Sequence, residues 1–226
     1  MNSHYTYLFL DITSILFPLL LSFDKKVAFY KTWKFLFPAI LINALFFIVW
    51  DELFTQKAVW DFNPKYITGI YLGHLPIEEI LFFVCVPYSC VFIYEVCKAY
   101  ISKNILQSIS SKITIALFLF CFALSILYYN KTYTIVNALI CCVLLVLTHF
   151  FFPKQLLGKF YLAYIISLVP FLICNGILTS LPIVLYNNAE NMNIRIFTIP
   201  FEDSIYCLSL LLLPILIMKF IRSKLG

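Results

Sequence analysis

Glycine is scarce in this chain, and so is charge. The five glycines, Gly69, Gly73, Gly158, Gly176 and Gly226, form no GxGxxG run and no P-loop, so no nucleotide or flavin cradle is visible. Charged residues make up 12% of the 226 positions and hydrophobic ones 63%. A soluble domain carries roughly 25% charged residues. No dense basic cluster exists despite the net charge of +5, which argues against a nucleic-acid partner. No CxxC pair with histidine partners occurs among the eight cysteines (Cys85, Cys90, Cys97, Cys121, Cys141, Cys142, Cys174 and Cys207). They read as small packing residues rather than metal ligands, and neither metal nor cofactor is expected. The N-terminus lacks a basic n-region and an A-x-A cleavage site, so Leu8–Phe23 reads as a retained span rather than a signal peptide.

What remains is a series of apolar runs. A spanning helix needs about 20 mostly apolar residues. Strands of a membrane barrel would alternate apolar and polar residues. The runs here are continuous, so the expected fold is an all-α integral membrane protein. Seven spans are predicted, at roughly 4–22, 34–53, 77–97, 113–129, 134–152, 160–181 and 201–220. Lys154 and Lys159 are read as separating spans five and six. With the N-terminus outside, the inner loops and tail carry Lys25, Lys26, Lys31, Lys34, Lys98, Lys103, Lys112, Lys154, Lys159, Lys219, Arg222 and Lys224. Only Lys57, Lys65, Lys131 and Arg195 stay outside. The positive-inside bias therefore gives N-out and C-in, with the bacterial cytoplasmic membrane as the expected location. The last span has no lysine at its middle, which argues against a retinal Schiff base.

One polar constellation occurs twice. The first copy, Pro76-Ile77-Glu78-Glu79, follows a polar and aromatic loop and opens the third span. The second, Pro200-Phe201-Glu202-Asp203, opens the seventh. Position for position the copies lie 124 residues apart (200 − 76), and Asp51 and Asn175 share that spacing. Two triads of spans joined by a linker span follow: residues 1–98, a linker at 99–133, and 134–226. Parallel repeats of this 3+1+3 kind place sites at the repeat interface.

Carboxylates at the first turn of a helix meet free N–H groups and the helix dipole, so simple capping is one reading. Duplication of the whole motif favours a functional one. Hydrocarbon and a second carboxyl oppose ionisation while the helix N-terminus favours it. An acid that keeps its proton in an apolar, aromatic site is what an alkene needs to become a carbocation. Trp60, Phe62, Tyr66, Tyr71, Phe82 and Phe83 lie near the first acid pair in sequence, and their π-faces suit a cation, although an interfacial aromatic belt would look similar. Asp11 is an ionisable residue inside the first span and hence a functional candidate or a partner for another helix. His74, one turn before Glu78, is a candidate to tune it.

The run Trp60…Gly69…Pro76-Ile77-Glu78-Glu79…Phe82-Phe83, with Pro200-Phe201-Glu202-Asp203…Tyr206, resembles the membrane-integral lycopene β-cyclases, with both halves on one chain. The resemblance implies that lycopene, a linear carotenoid, arrives from the bilayer lipid. A carboxylic acid then protonates its terminal double bond, a six-membered ring closes, and a base removes a ring proton. It implies Glu78, Glu79, Glu202 and Asp203 as the motif acids, with Glu78 or Glu79 as the proton donor and Glu202 or Asp203 as the partner base or second acid. The residues themselves add Asp51, Asn175, His74 and Asp11 as supporting polar candidates, and Trp60, Tyr66, Phe82, Phe83 and Tyr206 as candidate cation-stabilising aromatics. Two other readings are weaker. A 3+1+3 transporter predicts matched prolines in the two triads, but Pro38, Pro170 and Pro214 have no repeat partners. A prenyl-diphosphate transferase predicts DxxxD-type pairs, which are missing.

Overall fold

A computed structural model describes residues 3–225. Seven long helices account for most of them: α1 (Thr6–Leu21), α2 (Trp33–Gln56), α3 (Ile77–Tyr100), α4 (Ser110–Leu127), α5 (Thr132–Phe151), α6 (Lys154–Ser180) and α7 (Glu202–Leu225). Each is long and apolar enough to cross a membrane. Apolar side chains surround these helices on all sides, so most of each surface must meet either another helix or lipid. α3 and α7 are buried along most of their length and form the centre. The outward faces of α1, α2 and α4–α6 expose Leu20, Leu41, Val49, Leu127, Phe150 and Val169, a surface that suits hydrocarbon rather than water.

The packing is reciprocal. α1 packs on α3 as α5 packs on α7, while α2 lies against α7 and α6 lies against α3. The second helix of each triad thus crosses to the third helix of the other. α4 packs on α5 and α6, outside this exchange.

Two features differ from the sequence reading. α6 starts at Lys154, directly after Pro153, not near residue 160. Lysines at the end of a span can keep their ammonium groups in the polar layer while their stems run along the helix, so a polar pair there does not end it. The segments read as plain loops also hold backbone order. β1 (Trp60–Phe62) pairs antiparallel with β4 (Val184–Tyr186). β2 (Tyr71–Leu72) pairs with β3 (Leu75–Pro76), and β5 (Arg195–Ile196) with β6 (Ile199–Pro200).

Each of the last two ladders is a hairpin with a two-residue loop, and each feeds the N-terminus of a central helix. The first loop residue has positive φ in both, Gly73 at 66° and Phe197 at 57°, as tight hairpins with a type II′-like turn require. Gly69 and Asn193 form a second left-handed pair, at 81° and 58°. These pairs again lie 124 residues apart, so the backbone repeats where the side chains do not.

The β1–β4 ladder joins the two halves. Trp60 faces Tyr186, Asp61 faces Leu185 and Phe62 faces Val184. Beyond its ends, Asn63 N–H donates to the Ile183 carbonyl and Asn187 N–H to that of Val59, both at 2.9 Å. Each residue pairs with the repeat equivalent of its partner's mirror position, which is how a self-complementary two-fold contact behaves.

Candidate active site

The two acids of each motif point in different directions. Glu78 Oε1 accepts the Thr68 backbone N–H at 2.7 Å, and Glu202 Oε1 accepts that of Met192 at the same distance. Glu202 also receives the Thr134 hydroxyl at 2.7 Å, and its backbone carbonyl accepts from Asn137 Nδ2. Both side chains are fully buried and fasten the preceding loop onto the helix N-terminus. The next residue on the helix is rotated by about 100°, since 3.6 residues make a turn. Glu79 and Asp203 therefore face the interior between the triads.

There they line one cavity of about 40 Å³, together with Asp51, Asn175, Tyr206, Trp60, Phe82 and residues of the β1–β4 ladder above them. Glu79 receives the Tyr7 hydroxyl at 2.5 Å. Asp203 receives three donors: the Tyr133 hydroxyl at 2.6 Å, Asn175 Nδ2 at 2.7 Å and the Tyr186 hydroxyl at 2.9 Å. The Trp60 indole lines the same cavity as Asp51, whose buried Oδ2 has no partner among the described residues. No lysine or arginine lines the cavity. Its walls are aromatic: Trp60 meets Tyr133 edge-on with ring centroids 5.1 Å apart, and Tyr133 stacks on Tyr186 at 6.0 Å. Burial and the neighbouring Asp203 carboxyl hold the Tyr186 phenol well above its ordinary range. It is a donor, never an anion, at any physiological pH.

Some predicted site residues are not brought here. The His74 ring is exposed and bonds Glu52 Oε1 at 2.7 Å, so it clasps the first hairpin to α2 rather than reaching Glu78. Asp11 is buried one turn beyond Tyr7 on α1 but does not line the cavity. Tyr66 packs half-buried against the core, and Phe83 stacks on Phe47 at 5.9 Å, one layer behind the site. Among the described residues no group of three His, Cys, Asp or Glu side chains could hold a metal ion.

Tyr7, Tyr133 and Tyr186 were missed by sequence reasoning. Tyr7 and Tyr133 lie 126 residues apart (133 − 7), because the α1–α2 connection is offset by two residues from its α5–α6 counterpart. A comparison at the single spacing of 124 passes over them, whereas one gap would have aligned two tyrosines at the start of two spans.

The family model described as lycopene cyclase matches residues 4–97 and again 130–221. The chain belongs to the lycopene cyclase family. The two matched segments contain α1–α3 and α5–α7, and α4 falls between them. No curated protein and no solved structure matches the chain. Membership of this cyclase family favours cyclisation over the transport and prenyl-transfer readings, and a lipophilic carotenoid taken from the membrane suits the seven apolar helices.

Proposed function

We propose that this lycopene cyclase is a β-cyclase with one reaction centre shared by its two halves, and that Glu79, Asp51 and Asp203 carry the proton chemistry there. The observation that carries the reading is the convergence of Glu79 and Asp203, one from each motif, on a single aromatic cavity without a cation. Asp51 and Glu79 are two buried carboxyls in one small space, and such a pair holds a proton between them rather than two negative charges. This pair is the acid. Asp203, surrounded by three donors, sits in the environment of an anion and serves as the base.

The steps balance without redox change. The acid protonates the terminal double bond of an open ψ-end, leaving a tertiary carbocation. The neighbouring double bond attacks it, the six-membered ring closes, and the charge moves to a ring carbon. Trp60, Tyr206 and Phe82 face that charge with their π-clouds. Asp203 removes the ring proton that leaves the double bond of a β-ionone ring. One proton is added and one is lost, so the product is an isomer. The cavity has room for a water molecule, through which the proton returns to the acid pair. Treatment of both ends converts lycopene through γ-carotene to β-carotene.

The proposed membrane arrangement is N-out and C-in, with two parallel triads related by an axis along the membrane normal, in the bacterial cytoplasmic membrane. The basic residues of the inner loops and the reciprocal packing of the triads support it. The test is carotenoid chromatography of a lycopene-accumulating bacterial host expressing the chain beside its Glu79→Gln and Asp203→Asn versions. β-Carotene from the wild type, lost in both variants at equal membrane levels, is expected. A well-expressed wild type that leaves lycopene and other linear carotenoids unchanged would sink the proposal.

A further inference from the structure

Beside the acid cavity runs an apolar groove of about 250 Å³ between α1, α3 and α6. Its walls include Leu10, Val86, Ser89 and Cys174, and it shares Phe82 and Phe171 with the acid cavity. Except for Ser167, whose buried hydroxyl has no partner among the described residues, the hydroxyls in its wall are turned into the backbone: Thr13 donates to the Phe9 carbonyl, Ser14 to that of Asp11 and Ser89 to those of Ser14 and Cys85. These residues therefore present methylene and methyl surface. Along α3 the groove runs from Phe82 to Ile93, eleven residues (93 − 82), or about 16 Å at 1.5 Å per residue. That is about half of a hydrocarbon core of roughly 30 Å.

The repeat-equivalent cleft on the other side is filled. Shifting by 124 residues, Cys174 corresponds to Trp50, Phe171 to Phe47, Phe82 to Tyr206 and Ser89 to Leu213. Trp50 packs on Tyr206 with ring centroids 5.0 Å apart, and Phe47 packs on Tyr206 at 5.1 Å and on Trp50 at 5.5 Å. All three rings are buried. The apolar cavity that does open among α2, α5 and α7 is lined by Leu213, Leu216 and Phe220 and shares no residue with the acid cavity.

Resting on the cyclase reading above, we propose that the α1–α3–α6 groove is the binding site for one arm of a linear, apolar polyene. Phe82 and Phe171 form its gate to the acids, and the aromatic plug of Trp50, Phe47 and Tyr206 closes the opposite approach. Continuity with the acid cavity favours a polyene over a lipid acyl chain, which has no use for a carboxyl pair. The acid cavity of about 40 Å³ is too small for a six-membered ring, so the two phenyl rings must turn aside to admit the end group. With a single open approach the enzyme treats one end per visit. The one-ringed product must leave, reverse and return before the second ring closes.

The first test needs no variant. In membranes holding the wild-type chain, a pulse of isotopically labelled lycopene is followed by excess unlabelled lycopene. Labelled one-ringed product should be displaced into the free pool, and its conversion to the two-ringed form should stall. Two-ringed product formed directly, with the chase excluded, overturns the single approach. The second test fills the groove: Cys174→Trp and Ser89→Phe should each lower conversion about tenfold or more, because the added rings take the space that the polyene arm needs. Leu45→Trp, on the lipid-exposed face of α2, should not. Glu79→Gln protein purified from the same host should carry lycopene, and adding Cys174→Trp should remove it. A monodisperse Cys174→Trp protein with wild-type conversion, or a Glu79→Gln protein that yields phospholipid but no groove-dependent lycopene, overturns the groove assignment. Absence of any conversion by the wild type instead overturns the cyclase reading itself.

Discussion

Glu78 and Glu79 are adjacent in sequence, and their removal should have opposite consequences. Glu79 faces the acid cavity, whereas Glu78 holds the Thr68 backbone N–H at 2.7 Å. Loss of a positioned general acid lowers turnover by about 10²- to 10⁴-fold. At 1.36 kcal/mol per tenfold, that is roughly 3–5 kcal/mol of transition-state stabilisation. Glu79→Gln keeps the shape and an acceptor for Tyr7, so its melting temperature should stay near that of the wild type. Glu78→Gln also keeps an acceptor for the Thr68 N–H but puts an amide, with its own donors to satisfy, into a fully buried site, at a cost of about 1 kcal/mol. For a chain of this size that is a fall of about 2–4 °C in melting temperature. Its turnover at low temperature should remain within about tenfold of the wild type, because Glu78 does not line the acid cavity and takes no part in the proposed proton transfers. The assay pairs initial rates of lycopene conversion in proteoliposomes, read by chromatography, with thermal melts of the detergent-purified proteins. A Glu78→Gln enzyme that is inactive yet thermally normal, beside an active Glu79→Gln enzyme, would refute the division of labour between the two acids.

The two hairpins offer a paired backbone test by thermal melt. Gly73→Ala places a Cβ 2.9 Å from both Glu52 carboxylate oxygens at a φ of 66°, and should destabilise by about 2 kcal/mol. Phe197→Gly, at the equivalent left-handed position and with its ring 97% exposed, should stabilise by about 1 kcal/mol; an unchanged or lower melting temperature would count against strain at that turn. Tyr186 supplies a pH prediction. Its phenol is held well above the ordinary 10.0, so the unfolded chain releases this proton first. The stability it contributes is complete below pH 10 and falls above it, by about 1.4 kcal/mol per pH unit until the folded form also titrates. Melting curves of Tyr186→Phe should show a shallower alkaline decline than the wild type, and equal slopes would contradict the assignment. Tyr133→Phe removes one of three donors to Asp203 and should lower turnover with little change in KM, since the lost contact acts on the proposed base rather than on the apolar substrate.

Much of this was legible in the sequence. Continuous apolar runs determine spanning helices, because no lipid-exposed backbone can leave its polar groups unpaired. The spacing of 124 residues set Pro76 beside Pro200, Glu78 beside Glu202 and Asp51 beside Asn175, and the family model matches the two segments that hold them. What the sequence left undivided were the roles within each acid pair. Adjacent residues on a helix point about 100° apart, and only the packing of α3 and α7 against the other triad decides which of the two faces the interior. His74 is separated from the acids for a related reason: the Gly73 turn throws its ring toward Glu52. The tertiary structure alone also decided that residues of both halves line one cavity and that the repeat-equivalent cleft on the α2 and α7 side is filled. Both follow from contacts between residues far apart in the chain, the Trp60–Tyr186 ladder for the first and the Trp50–Tyr206 packing for the second. Periodicity along one helix carries no information about which distant side chain fills the space beside it.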